Sequence, residues 1–579
     1  MQSPKDFRTP PNFKSTDPNL KTFQIAFALH QQGNLSGAKE LYGEILRYNP
    51  EYFDAIHLSG VIAFQLRLFD ESEAFYAKAV QINSNFAPLH SNRGSNFNEL
   101  KRFDEALSSY KKAILIRSDY AEALNGLGDT LKELKKFDEA LDSYEKAISI
   151  KPDYAEAWYN HGNTLKILQR FDEALDSYDK AISINSDYAR AFNNRGNSLQ
   201  HLKRFDEALA SYDKAISIKP DYIEALYNRG NNLKELKRFD EALASYDKVI
   251  LINPDNPEAK LAKSLILLLR GELSEGWKHY EYRLKCQNFV KNSLGTTVNL
   301  LHKTTTLKSV SDLTGKHLVL ITEQGIGDVV MFASIVQDII PFLTRLDFVV
   351  DERLVEIFEI SFPSSRVFAS TTYNENDTPA DAVYMFIGSL GRIFRNHVSD
   401  FPTDPYLFAD FNKITSWKNR LQCENKKLIG ISWKGGASHT RDWARSFSLQ
   451  NFLKMMPRDN FRFVNIQHNS SLHELKQAAD NLNVDILSFP EPDTSDISDL
   501  SALLCALDHV VTVQNSNIHL CGALGVHCIG IIPEVPEWRY GMRGEDMIWY
   551  KNVKLIRISQ EIEFQEMNLL IDSHISQKI

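Results

Sequence analysis

Through the first half of the chain, apolar and polar positions recur with a period of 34. Phe69, Phe103, Phe137, Phe171, Phe205 and Phe239 stand one period apart, each followed by Asp-Glu, and Leu35 and Leu273 extend the phase at both ends. Within one copy, Phe103, Ala106, Leu107, Tyr110, Ala113 and Ile114 share one helical face. The preceding stretch places Leu124, Leu127, Gly128, Leu131 and Leu134 on a face of a second kind of helix. The pattern predicts eight helix pairs over residues 21–290. Gly94, Gly128, Gly162, Gly196 and Gly230 are in phase inside predicted helices. A helical glycine costs about 1 kcal/mol relative to alanine, so its recurrence predicts a close approach of two helices. Pro50, Pro152, Pro220 and Pro254 mark turns between copies.

A 34-residue unit of paired helices resembles the tetratricopeptide repeat, which implies an all-α superhelix with a concave inner surface. Two polar columns run along the copies. One holds Asn92, Gly126, Asn160, Asn194 and Asn228; the other, three residues on, holds Ser95, Asp129, Asn163, Asn197 and Asn231. Positions i and i+3 share a helix face, so the columns predict two parallel polar rows. An amide both donates and accepts, so Asn92, Asn160, Asn194, Asn228, Asn163, Asn197 and Asn231 are candidate contacts to an extended polypeptide. The same rows also fit a simple solvated face.

The period ends near residue 290. Residues 291–315, rich in Thr, Ser, Asn and Lys, read as a linker or an irregular cover. Short apolar runs then alternate with helical stretches. The runs are 317–322, 346–351, 428–433, 461–467, 484–489, 509–513 and 527–532, and residues 328–343 predict a helix. Such alternation predicts parallel sheet with helices on both faces. The length remaining suits two Rossmann-like halves, 316–425 and 426–579.

Charge narrows the partners. With 66 Lys+Arg against 75 Asp+Glu the formal charge is −9, which argues against a general nucleic-acid binder. The five cysteines, Cys286, Cys423, Cys505, Cys521 and Cys528, contain no CxxC pair and predict free thiols in a reducing compartment, so a cytoplasmic location is expected. Residues 1–20 are polar and Pro-containing and read as a disordered leader without a signal peptide; no apolar run is long enough to span a bilayer.

Doubly wound sheets bind ligands beyond the carboxyl ends of their strands, and three loops lie there. In TEQGIGDVVMF, Gly325 and Gly327 allow a tight turn before a helix begun by Asp328, which is either an N-cap or a general base facing the crevice. In SWKGGASHTRDWARSFSL, Lys434, Arg441 and Arg445 follow a strand; they suit a diphosphate or a solvated loop. In VQNSNIHLCGALG, Asn515 and Ser516 open a helix whose free N–H groups favour an anion, and His519 lies one turn in, facing either the crevice or the core.

Taken in order, these loops resemble those of bacterial tetratricopeptide proteins with a C-terminal glycosyltransferase domain, itself similar to the heptosyltransferases and more distantly to protein O-linked N-acetylglucosamine transferases. The resemblance rests on GEL..GW..YEYRL (271–284), DLTGKHLVLITEQGIGD (312–328), Arg445-Ser446, HLCGALG (519–525) and PEWRY (536–540). It implies a glycosyltransferase B fold, a nucleotide-sugar substrate with no further cofactor, and inverting, metal-independent transfer. By this resemblance Asp328 is the base, while Gly325, Gly327, Lys434, Arg441, Arg445, Gln467, Asn515, Ser516 and His519 hold the donor and the repeats hold a polypeptide acceptor. The chain departs from the family's Asp-Thr-Gly-x-x-His loop, carrying Gln514 and Asn515 in place of the aspartate and threonine. That departure keeps a second reading open, a repeat scaffold with a degenerate transferase domain.

Overall fold

Each repeat closes its hydrophobic stripe against its neighbour in the computed structural model, which describes residues 19–305, 307–402, 404–421, 426–435, 445–457, 460–489, 496–558 and 564–576. The leader and Arg441 therefore lie outside the described residues, apart from the leader's last two positions. Two compact units are present, Met1–Leu236 and Lys237–Ile579.

The first unit contains thirteen described helices, from Leu20–Gln31 to Ile223–Glu235, in the alternating pattern that the 34-residue period predicts. The second helix of a copy, such as Phe137–Ile150, buries Tyr144, Ala140, Leu141 and Ala147; Tyr144 and Ala140 pack with Ala123, Leu127 and Leu131 of the first helix, and Leu141 with Tyr159 and Leu165 of the next copy. The in-phase glycines make room for that tyrosine. A Cβ added at Gly94, Gly128, Gly162 or Gly196 would come within 2.5–2.9 Å of Tyr110, Tyr144, Tyr178 or Tyr212. The turn inside each copy needs a left-handed residue. Arg67, Lys101, Lys135, Gln169 and Lys203 adopt φ near +60° there, and Gly33 fills the same position in the first copy.

The second unit opens with three more repeat helices, Phe239–Ile252, Pro257–Leu269 and Leu273–Tyr280. The segment after them is a cover rather than a free linker. It holds a helix, Gln287–Ser293, and a 3₁₀ run, Gly295–Lys303. Leu294 and Leu300 pack with Val319, Ile321, Val349, Tyr384 and Phe386 of the first sheet.

That sheet contains β1 (Lys316–Ile321), β2 (Leu343–Val350), β3 (Arg366–Ala369) and β4 (Val383–Phe386) in the order β3-β2-β1-β4, all parallel. The second sheet contains β5 (Lys427–Ser432), β6 (Phe461–Asn465), β7 (Ile486–Leu487), β8 (His509–Val513), β9 (Cys528–Pro533), β10 (Asp546–Met547) and β11 (Tyr550–Ile558). Its order is β10-β11-β9-β8-β5-β6-β7, parallel except for β10. The helix expected over 328–343 is broken into Ile326–Ala333, Val336–Ile339 and a 3₁₀ turn, Ile340–Phe342. Pro341, which has no N–H to donate and a fixed φ, sits in that turn. Strand order reverses beside β1 in the first sheet and beside β5 in the second, so each sheet has a switch point where a crevice opens.

Candidate functional site

The chain leaving β1 is anchored before it turns. The Gln324 N–H donates to the Ser293 carbonyl at 2.8 Å, and the Gln324 amide donates to Tyr280 Oη at 3.0 Å. Gly325 then caps the helix Ile326–Ala333, placing Asp328 in its first turn. Asp328 Oδ1 accepts from Arg539 Nη2 of the 3₁₀ turn Trp538–Tyr540, and both side chains are 15 % exposed. Oδ2 lies 4.0 Å from the position of a Gly325 Cβ, and no other atom outside the adjoining residues approaches that point as closely.

The loops of the second sheet converge from the other side. A Cβ at Gly435 would meet the Gln514 carbonyl at 2.6 Å and the Arg445 carbonyl at 3.1 Å. Lys434, Gly435, Arg445 and the 514–516 turn are thus one cluster. Asn515 caps the helix Ser516–Leu524 by accepting from the Asn517 N–H, and its amide donates to Ser432 Oγ at 2.9 Å. Lys434 is half-exposed and pairs with Glu474 at 3.2 Å. Gln467 is used internally. Its Oε1 accepts from Ser432 Oγ, the Trp433 N–H and the Lys434 N–H, and its Nε2 donates to the His468 carbonyl. A nucleotide contact through this amide would have to displace bonds that hold the end of β5.

Between the two clusters sits His519. Its Nε2 is 3.0 Å from Tyr540 Oη and its Nδ1 3.2 Å from Tyr550 Oη. Burial, with Arg539 adding to it, holds the imidazole pKa well below its ordinary value. A neutral ring with both nitrogens engaged acts as a spacer. The position of a Gly327 Cβ is 3.0 Å from His519 Cδ2 and 3.4 Å from Ser516 Cα. Any larger residue at 327 would push the Asp328 loop away from the start of the second helix.

Sequence reasoning gave no role to three further groups. Arg539 belongs to the PEWRY segment and is held charged: burial opposes its charge, but Asp328 outweighs that. Arg283 is fully enclosed and donates to Glu323 Oε1 from Nη2 at 2.8 Å and from Nε at 3.2 Å, to Glu281 at 2.9 Å and to Ser389 Oγ at 2.9 Å. Burial disfavours this charge as well, and Glu323 and Glu281 restore it. Trp277 packs edge-on against Trp538 and Tyr280 and donates to the Arg395 carbonyl at 2.8 Å. The last repeat helix and its following turn therefore form part of the wall behind Asp328. The signal was present in GEL..GW..YEYRL, but nothing in its spacing names the partners Glu323, Ser389, Arg395 and Trp538, which lie 40 or more residues away.

In the first unit the asparagine rows are bonded to one another. Asn92, Asn160, Asn194 and Asn228 each donate at 3.1 Å to the side chain 35 residues earlier, namely His57, Asn125, Tyr159 and Asn193. Asn194 also donates to Asn163 at 2.8 Å. Asn163 and Asn197 accept from Tyr178 and Tyr212 at 2.9 and 2.8 Å. Asn231 is half-buried in the same row. These bonds make the rows a lattice tying one repeat to the next.

A separate cleft of about 650 Å³ is lined by Arg238, Asp240, Glu241, Arg270, Glu272 and Arg543, among others. Most of its charges are already matched, Arg270 with Asp240 at 2.6 Å and Arg238 with Glu241 at 2.6 Å. It contains none of the loops described above.

Comparison with known proteins identifies the repeats. Profiles described as TPR repeat match residues 94–135, 128–166 and 162–203, and profiles described as tetratricopeptide repeat match 24–88, 189–222 and 223–256. Tetratricopeptide repeats are therefore present, and arrays of this kind offer extended surfaces for other proteins. Protein FlbA of Caulobacter vibrioides is 30 % identical over 319 residues, 51 % of this chain and 51 % of that protein. The chain thus spans about half the length of the curated relative it matches. The crystal structure of YrrB, titled a TPR protein with an unusual peptide-binding site, is 28 % identical with a TM-score of 0.29, covering 33 % of this chain and 98 % of that one. The crystal structure of MamA is 28 % identical with a TM-score of 0.27, covering 28 % and 94 %. Among the described residues, no helix is long and apolar enough to cross a membrane.

Proposed function

We propose that the Lys237–Ile579 unit is a glycosyltransferase of the B type, with two Rossmann-like halves, that moves a sugar from a nucleotide-sugar donor to an acceptor with inversion. One observation carries this reading: Gly327, beside Asp328, lies against Ser516 and His519, so the switch-point loops of both sheets meet at one carboxylate. In this mechanism Asp328 takes the proton of the acceptor hydroxyl as its oxygen attacks the anomeric carbon. The bond from that carbon to the phosphate oxygen breaks, and the electron pair leaves with the nucleoside diphosphate. Lys434, Arg445 and the Asn515-capped helix start stabilise that charge, which supports a reaction without a metal. The acceptor in this reading is a polypeptide held by the repeats.

A second reading, a protein-binding repeat scaffold whose sheet region binds a nucleotide without turnover, is favoured by one residue. Gln514 stands where the similar family carries aspartate, and its Oε1 is buried with no hydrogen-bond partner among the described residues. A panel of nucleotide sugars, read by thermal stabilisation and then by donor hydrolysis, separates the two. Stabilisation with hydrolysis by one donor supports the transferase. Stabilisation without hydrolysis supports the scaffold.

A further inference from the structure

We propose that Arg539 is a further phosphate-binding cation of this crevice, beside Lys434 and Arg445, and that Asp328 holds it until the donor's phosphate oxygens take its place. The inference deepens the transferase reading and rests on it. Arg539 comes from the second half and contacts Asp328 of the first. Only one end of its guanidinium is matched in this way: its Nε is buried and has no hydrogen-bond partner among the described residues. The nearby groups give it little other company. His519 is neutral and engaged by two tyrosines, Tyr540 is held protonated by burial, and Asp328 does more than Glu537 to keep Arg539 charged.

A guanidinium presents a planar fork that matches two phosphate oxygens, and a diphosphate offers more negative charge than one carboxylate. The turn that carries Arg539 is fixed independently of its side chain, because Trp538 packs against Trp277, Tyr280 and Phe332. The arginine can therefore change partners without the turn moving. Because the carboxylate and the phosphate compete for one cation, their binding is linked: removing either competitor strengthens the other's hold. Asp328 is thereby occupied before the donor arrives and released for the acceptor hydroxyl once it is bound.

The test is titration calorimetry of the full chain with inorganic pyrophosphate, using wild type, Asp328→Asn, Arg539→Met and the double variant. Removing the competing carboxylate is expected to tighten pyrophosphate binding about fivefold or more. Arg539→Met is expected to weaken it about tenfold or more, and the double variant to match Arg539→Met. Thermal melting of the double variant, whose pair is neutral on both sides, keeps the result readable if a single variant misfolds. The proposal is overturned if wild type binds no pyrophosphate, if Arg539→Met binds it as wild type does, or if Asp328→Asn binds it no tighter. UDP, GDP and ADP run alongside identify the source of the phosphate: one of them binding tighter than pyrophosphate supports a donor, and all of them binding more weakly overturns that part. Turnover of a nucleotide sugar with unchanged pyrophosphate affinity in Arg539→Met would sink this inference and leave the transferase reading standing. The expected pyrophosphate pattern without turnover of any nucleotide sugar would do the reverse.

Discussion

Arg283 and Glu323 form an ion pair at 2.8 Å with both side chains fully enclosed, joining the turn after the last repeat helix to the loop that leads to Asp328. Gly388 is part of the same knot. Its N–H donates to Glu323 Oε1 at 3.2 Å, and a Cβ there would come within 2.5 Å of that oxygen. The repeat array and the sheet region therefore share one buried polar centre inside the second unit.

Removing one member of such a pair strands a charge. Arg283→Met should destabilise the second unit by about 3–5 kcal/mol. Adding Glu323→Gln should recover much of that loss, because the remaining polar group is neutral. Chemical denaturation followed by tryptophan fluorescence reads both. Equal losses in the single and double variants would mean that packing, not charge, dominates at this position.

The glycines of the repeats are separable by what surrounds them. Gly128→Ala places a methyl 2.5 Å from Tyr144, and the overpacking should cost about 1–3 kcal/mol. Gly43, in the helix Leu35–Tyr48, has nothing within 4 Å of a Cβ. Gly43→Ala should therefore stabilise by about 0.5–1 kcal/mol through helix propensity alone. Thermal unfolding of the two variants is expected to shift in opposite directions.

Asn194→Ala tests the lattice. It removes the bonds donated to Tyr159 and Asn163, and the loss of two hydrogen bonds should cost about 1–3 kcal/mol. Hydrogen exchange of the helices Ala155–Ile167 and Ala189–His201 should rise together. Unchanged stability would return the asparagines to a role on the surface only.

His57 gives the repeats a pH dependence. It is buried, its Nε2 accepts from Asn92 at 3.1 Å, and burial holds its pKa down at about 4 against 6.5 when exposed. Below pH 6.5 the unfolded chain takes up a proton that the folded chain refuses. The His57 contribution is therefore intact above 6.5 and is lost as pH falls toward 4, by about 3 kcal/mol in all. His57→Asn keeps the acceptor, as Asn125 and Asn193 do in later copies, and should flatten this part of the stability profile measured between pH 7 and 4.

The periodic part of the fold was legible because one 34-residue pattern was written many times, and its glycines pointed to a close approach of two helices, at which the structure places tyrosines. The function of the asparagine rows was not, since their partners lie 35 residues away and one copy read alone shows only i, i+3 neighbours. In the second half, β1, β5 and β8 were readable as apolar runs, whereas β3 and β4 have only four residues each and β11 alternates with lysines and an arginine. Asp328, Lys434, Arg445, Asn515 and Ser516 could be placed near one another because strand ends in doubly wound sheets converge. Arg539 could not, because a pairing across 211 residues leaves no trace in local spacing.

The central claim is most directly tested by the rate at which the full chain releases nucleoside diphosphate from its preferred nucleotide sugar, compared between wild type and Asp328→Asn. The account predicts measurable release by wild type and a fall of about 10²–10⁴-fold in the variant, both assayed below the melting temperature of the variant. Release by Asp328→Asn at the wild-type rate, or no release by wild type from any donor tested, would contradict it.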